Sequence, residues 1–400
     1  MQQKRRDLKI IFCGDALWSQ SGYGNELDWL MRRFLADGWQ VAQAAKAGLL
    51  GHWIDYRLDE GVLRMYPSIN HPHGSDIMFH GAKHFGAHVA ISMIDVWVIE
   101  NEHLNALSQI GCKWIPYMPV DSMPPSPAIL RPLPFAHKIL TFSKFGQQEL
   151  IKSGFVSDMI YEGIDVNQLK PKDKYEARKK LGIPAEGFIW GMIAANKENP
   201  PRKSFQEALE AFKMFATAHD DARLFIHTQQ ISPGNFPIRE YAGYLGILDK
   251  IYFLDQLHAT IFATREDIET QFNAMDALLH PSQTEGFGLT IIEAQACGKP
   301  VVIHNVHSMP ELIIEGKTGE KAQTASRRWT SMLNFWEVPQ PTSVWYAMEK
   351  VYRRVLEAPQ EVIANCRQNV VENFNIDKIF REKWVPLIEQ LQDELIPEGR

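Results

Sequence analysis

Short apolar runs alternate with amphipathic stretches along this chain. Leu8 to Cys13 is apolar, a loop rich in Gly and Ser follows, and Glu26 to Ala36 then sets apolar residues at helical spacing. The pattern predicts strand, loop and helix. Trp39 to Gln43 reads as a second strand, His88 to Ile94 as a buried central one and Lys113 to Met118 as another, with helical or loop material between them. Lys138 to Phe142 and Ser143 to Ser153 add a strand and a helix. A polar stretch, Pro171 to Lys174, breaks the rhythm and places a linker at 166–175. The alternation restarts with Phe188 to Ala194, the helix Ser204 to Ala218, and then Arg223 to Thr228, Ile251 to Leu254, Ala277 to His280 and Pro300 to His304. Alternation of this kind is that of βαβ units, so the expected class is α/β with mostly parallel sheets.

At 400 residues the chain is long for one core, and two Rossmann-like domains are expected, 1–168 and 169–376. A terminal helix occupies 377–400; packing back on the first domain is one arrangement for it. Hydrophobic content of 45% and charged content of 22% describe an ordinary globular protein. A formal charge of -6 argues against an extensive nucleic-acid surface. The four cysteines Cys13, Cys112, Cys297 and Cys366 form no CxxC pair, which disfavours a disulfide scaffold and a zinc ribbon. The basic N-terminus precedes an apolar run of only four residues, Ile10 to Cys13, so it reads as a first strand rather than a signal peptide. No apolar window is long enough to span a bilayer. The expected location is cytoplasmic, free or peripheral to a membrane.

The richest segment runs from His280 through Glu285-Gly-Phe-Gly288 to Val302. It places a strand, a glycine-bearing loop and a helix start in succession. Gly286 and Gly288 let backbone approach a ligand, and unpaired N–H groups at a helix start near Thr290 favour a phosphate. Glu285 and Glu293 can accept hydrogen bonds from sugar hydroxyls. Thr290 and Glu293 also fit a capping box, which would occupy Glu293 structurally.

Glu285 and Glu293, separated by seven residues within EGFGLTIIEAQACGKPVV, resemble the EX7E motif of the retaining glycosyltransferases of family four, which have the GT-B fold of two facing Rossmann-like domains. The resemblance implies that Glu285 contacts the transferred sugar near its reacting carbon and that Glu293 binds the nucleotide ribose. It further implies that Gly286, Phe287, Gly288, Leu289 and Thr290 give N–H groups to sugar and diphosphate. Thr290 stands where many relatives have Pro. Arg202 and Lys203, in a polar loop opening a helix, resemble the pair that stabilises the leaving nucleoside diphosphate; a solvated basic pair is the plainer reading of the same residues. Asn196 stands where many relatives carry Arg, at a donor-binding position.

In the first half, Gly22 and Gly24 follow the first strand and resemble the loop that family-four enzymes turn toward the donor phosphates, although a GxG alone is also an ordinary loop. Asp95 and Asp121 sit at the carboxyl ends of expected strands, where α/β sheets bind ligands, and are candidates for the acceptor side; caps or turns would use them equally well. His80, His84 and His88 are spaced by four, but Gly81 and Gly86 weaken a metal-bearing helix, so no metal site is assigned.

The implied activity is metal-independent retaining glycosyl transfer from a nucleotide-sugar donor, with no cofactor beyond that co-substrate. The acceptor is a saccharide, a lipid-linked or another hydroxyl compound. Two alternatives share the residues: a sugar-nucleotide epimerase or hydrolase on the same fold, and a non-catalytic nucleotide-sugar-binding partner. A dehydrogenase fits poorly, because neither half has a full GxGxxG with its downstream acid. Base, sugar, acceptor and oligomeric state are not encoded legibly.

Overall fold

The computed structural model describes residues 6–69, 71, 73–231, 234–257 and 263–397. The chain divides into two compact units, Met1–Gly163 with Ile376–Arg400, and Ile164–Asn375.

The first unit is built on an eight-stranded sheet. Its strands are β1 (Lys9–Asp15), β2 (Gln40–Ala47), β3 (Ile54–Leu58), β4 (Gly61–Pro67), β5 (Val89–Ser92), β6 (Lys113–Met118), β7 (Leu140–Thr141) and β8 (Asp158–Met159), in the spatial order β3-β4-β2-β1-β5-β6-β7-β8. All neighbours are parallel except the β3–β4 hairpin. The strands at its centre are apolar on both faces, as a sheet covered by helices on both sides requires. The C-terminal segment belongs to this unit: Trp384 is fully buried, with its ring 6.2 Å from that of Phe12 and 5.0 Å from that of Tyr117.

The second unit has a six-stranded, all-parallel sheet of β9 (Ile189–Ile193), β10 (Arg223–His227), β11 (Ile251–Phe253), β12 (Ala277–His280), β13 (Val301–His304) and β14 (Gly319–Ala322), ordered β11-β10-β9-β12-β13-β14. Trp190, Phe205, Phe212 and Phe215 fill its core with no exposed surface. A separate antiparallel pair, β15 (Thr324–Trp329) and β16 (Phe335–Pro339), stands outside that sheet.

Three expectations are corrected here. The polar stretch 171–174 is not a linker but part of the second unit, where Lys172 pairs with Glu269 and Lys174 Nζ lies 3.0 Å from Asp276. Residues 54–67 form a hairpin rather than a helix or loop. β3 alternates exposed and half-buried positions, so it lacks the apolar run that marks the inner strands. The two glycines expected in the first loop, Gly22 and Gly24, instead lie in the first turn of the helix Gly22–Ala36.

A buried ion pair locks the second unit's entry helix, Lys174–Leu181, to the start of β12. Arg178, 1% exposed, reaches Asp276 Oδ2 at 2.6 Å and donates to the carbonyls of Ala274 and Gly187 at 2.9 and 3.2 Å. Asp276 Oδ2 also accepts from the Ile189 N–H at 2.8 Å. Removing one partner strands a buried charge and several carbonyls. Arg178→Ala is therefore expected to cost about 3–5 kcal/mol of unfolding free energy, read by urea denaturation; a loss under about 1 kcal/mol would mean the pair is solvated in solution.

Candidate functional site

Two loops at the carboxyl ends of the adjacent strands β9 and β12 bring the second unit's candidate residues together. The loop after β9 carries Arg202 and Lys203 at the middle of a tight turn, closed by the Ser204 N–H on the Pro201 carbonyl at 3.0 Å. The loop after β12 carries Glu285.

Glu285 is 7% exposed, yet it is ringed by proton donors. The Lys203 ammonium sits directly on Oε1, Arg202 Nη1 lies 3.5 Å from Oε2, and His280 Nε2 lies 3.0 Å from Oε1. Arg202 Nη1 also donates to the Thr284 carbonyl at 2.8 Å. Because an ionised carboxylate only accepts, His280 Nε2 holds its proton toward Glu285. Burial alone would favour the neutral acid, but Lys203, Arg202 and His280 outweigh it and hold the Glu285 carboxyl well below the usual carboxylate range. Burial lowers both Lys203 and His280 from their ordinary values, with Glu285 opposing the fall in each. The result is an ionised carboxylate beside two cations and a neutral imidazole.

Ser308 fixes the loop that follows. Its hydroxyl donates to the carbonyls of Glu285 and Phe287 at 2.8 and 2.9 Å. Gly288 closes the loop at φ +115°, a region disfavoured for residues with a Cβ, and serves as N-cap of the helix Leu289–Ala296. No side chain caps that helix, so its first N–H groups are left to an anion. Leu289 and Thr290 form the first turn. Since the helix begins before Thr290, the Thr290–Glu293 capping box does not form. Glu293 is 8% exposed and its side chain has no hydrogen bond among the described residues. Burial pushes its carboxyl up to about 7, with Arg265 pulling the other way.

Several residues expected to contact the donor also have partners within the protein. Asn196 is 1% exposed and braces its own surroundings: Nδ2 donates to the Phe236 carbonyl at 2.8 Å, and Oδ1 accepts from the Phe236 N–H at 3.0 Å. Its side-chain amide is thereby engaged within the second unit. The Gly24 N–H is taken by Ser21 Oγ at 3.1 Å, and a Cβ there would meet the Ser19 carbonyl at 2.7 Å. Close packing of the helix start on the preceding loop places its own demand for a glycine here; Gly22 is exposed. Gly286 is half-buried, whereas the Phe287 ring turns inward to Phe374 at 6.1 Å.

In the first unit, Asp95 follows β5 and accepts from the Tyr23 hydroxyl at 3.1 Å. Burial, then Asp95, Glu162 and Asp121, raise that hydroxyl well above its ordinary value, so these acids share one edge of the sheet. His80 and His84 do lie on one helix, Ser75–Phe85. His84 Nδ1, however, is bonded to the Tyr66 hydroxyl at 2.9 Å and His88 Nδ1 accepts from the Lys9 N–H at 3.0 Å. No cluster of metal-binding side chains occurs among the described residues.

Sequence reasoning did not single out His280 or Ser308. The first begins the segment already read, and its placement at the end of β12 was its one signal. Ser308 lies 23 positions from Glu285, and nothing local announces the contact.

Residues 173–328 match the family described as glycosyl transferases group 1. D-inositol 3-phosphate glycosyltransferases of Mycobacterium leprae and Mycobacterium tuberculosis are each 30% identical over 165 residues, 40% of this chain and 36% and 32% of those proteins. The chain thus spans about a third of the length of these curated relatives. Among solved structures, sucrose-phosphate synthase from Thermosynechococcus elongatus superposes with a TM-score of 0.74 at 16% identity, covering 96% of this chain and 100% of that one. Anabaena HepE in complex with UDP-glucose does so at 0.69 and 17% identity, with 96% and 100% covered. These likenesses establish the GT-B type of α/β fold.

The raised Glu293 carboxyl has a consequence for stability. Its ordinary value is 4.5 and its folded value about 7, so the folded protein binds the extra proton between them and loses stability as pH rises through that window. The loss has a ceiling on the order of 3 kcal/mol. Glu293→Gln removes the titration while keeping the shape. Thermal denaturation should find the variant more stable than the parent at pH 8 and similar to it near pH 5; parallel pH profiles would contradict this.

Proposed function

Because residues 173–328 match the glycosyl transferases group 1 family, we propose that this protein moves a glycosyl group from a nucleoside-diphosphate sugar to an acceptor hydroxyl, retaining the anomeric configuration and using no metal ion. The observation that carries the reading is Glu285 held ionised beneath Lys203 and Arg202. In such a transfer the bond from the anomeric carbon to the diphosphate oxygen breaks, and its electron pair leaves with the diphosphate. The acceptor oxygen bonds to the same face, and its proton passes to the departing phosphate.

Charge therefore grows on the leaving oxygen, and stabilising it is the main task of the site. Lys203, Arg202 and the uncapped start of the helix Leu289–Ala296 supply fixed positive potential without a metal. Glu285 faces the reacting carbon. Glu293, whose side chain has no hydrogen bond among the described residues, receives the ribose hydroxyls. The acceptor is assigned to the first unit's carboxyl edge, where Asp95 and Asp121 offer hydroxyl acceptors and Trp18 and Trp97, 42% and 39% exposed, offer faces for sugar rings. HepE is solved with UDP and UDP-glucose, so uridine donors head the test panel.

A panel of UDP-, ADP- and GDP-sugars, read by release of nucleoside diphosphate and by product analysis, tests the reading. Epimerised donor, or free sugar alone with every acceptor tried, would favour the epimerase or hydrolase instead. EDTA should leave the rate unchanged. Lys203→Ala should lower kcat/KM by at least about a hundredfold, as expected for removal of a group facing developing charge. Glu285→Ala should remove most of kcat while donor affinity stays within about tenfold. Equal losses in binding and rate would remove Glu285 from the reacting centre.

A further inference from the structure

The turn that presents Arg202 and Lys203 has little to hold it in place on its own. It lies between a proline pair, Pro200 and Pro201, and Ser204, a non-glycine residue at φ 53°. Yet the Lys203–Glu285 contact demands accurate placement. Besides the Arg202 contact with the Thr284 carbonyl, anchoring comes from one residue that neither the resemblance nor the reaction invokes.

Gln283 has no exposed surface and uses both ends of its amide and both backbone groups. Its Nε2 donates to the Pro201 carbonyl at 3.1 Å, and its backbone N–H donates to the Arg202 carbonyl at 2.8 Å. On the other side, its Oε1 accepts from Arg328 Nη1 at 3.4 Å and its carbonyl from the Glu337 N–H at 3.2 Å. Arg328 and Glu337 lie on the two strands of the β15–β16 pair, where Arg328 stands opposite Trp336 and Glu337 opposite Arg327. A second strut joins the same parts: His304, lowered by burial to about 4 and so neutral, donates from Nδ1 to the Ser282 carbonyl at 3.1 Å and accepts at Nε2 from Thr324, the first residue of β15, at 2.9 Å.

We propose that Gln283 is the positioning residue of this site: it registers the cation-bearing turn against the Glu285 loop, and the 324–339 hairpin holds it from behind. The proposal rests on the glycosyltransferase reading only for its kinetic arm. Gln283 touches no reacting atom; it acts through Lys203 and Arg202. The hairpin is thereby part of the catalytic scaffold rather than a surface ornament.

Gln283→Met keeps the volume and removes both side-chain hydrogen bonds, so the fold survives and the register is tested. With whichever panel donor the parent turns over, kcat should fall tenfold or more while the KM for that donor changes less than threefold. In the background of Lys203→Ala the same substitution should add less than threefold, because the group it positions is gone. Arg328→Met should reproduce part of the kcat loss. Additive losses in the double variant, or a kcat that falls only with the folded fraction, overturn the proposal. A crystal structure of Gln283→Met supplies an arm independent of activity: the turn 201–204 should shift and Lys203 should leave Glu285. If both stay in place, the proposal fails even where the activity reading stands. If no donor is turned over by the parent but the turn shifts, the activity reading fails and the positioning role stands.

Discussion

The chemistry of the second unit depends on keeping one carboxylate charged where water is nearly absent. Glu285 is buried deeply enough that its natural response would be to take up a proton. Three neighbours prevent that, and they come from two places: Lys203 and Arg202 from the turn after β9, and His280 from the end of β12. Such an arrangement is stable only while all parts keep register, since a charge abandoned in this environment costs several kcal/mol. Much of the surrounding hydrogen bonding reads as support for this demand. Ser308 holds the loop carbonyls, Arg202 grips the Thr284 carbonyl, and Gln283 bolts the two loops together.

The two carboxyls of the motif are thereby set apart in character. Glu285 lies among cations and is ionised; Glu293 has Arg265 as its favourable influence, and burial leaves it near neutrality. Identical side chains, eight positions apart in one segment, thus differ in protonation because of what the fold places beside them. A hydroxyl-binding role suits Glu293 in either form, as an acid both donates and accepts.

The alternation of apolar runs made the inner parallel strands legible, because a strand covered on both faces must be apolar throughout. Arg202, Lys203 and Glu285 were legible as a constellation through the strand–loop–helix context around them. The β3–β4 and β15–β16 hairpins were not: β15 is mostly exposed, and its residues carry no period that distinguishes strand from loop. Asn196 and Gly24 were ambiguous in the sequence for a different reason. Each occupies a position where a ligand contact and an internal brace require the same residue type. Only the partner atoms, Phe236 for Asn196 and Ser21 for Gly24, distinguish the two.

The first unit is discontinuous in sequence, taking in residues on either side of the second. Trp384 completes its core against Phe12, Phe34 and Tyr117, and Asp377 accepts from Arg33 at 2.8 Å. On the ribosome, therefore, residues 1–163 emerge with an apolar gap that stays open until more than two hundred further residues have been made. The second unit is contiguous and has its whole core available first.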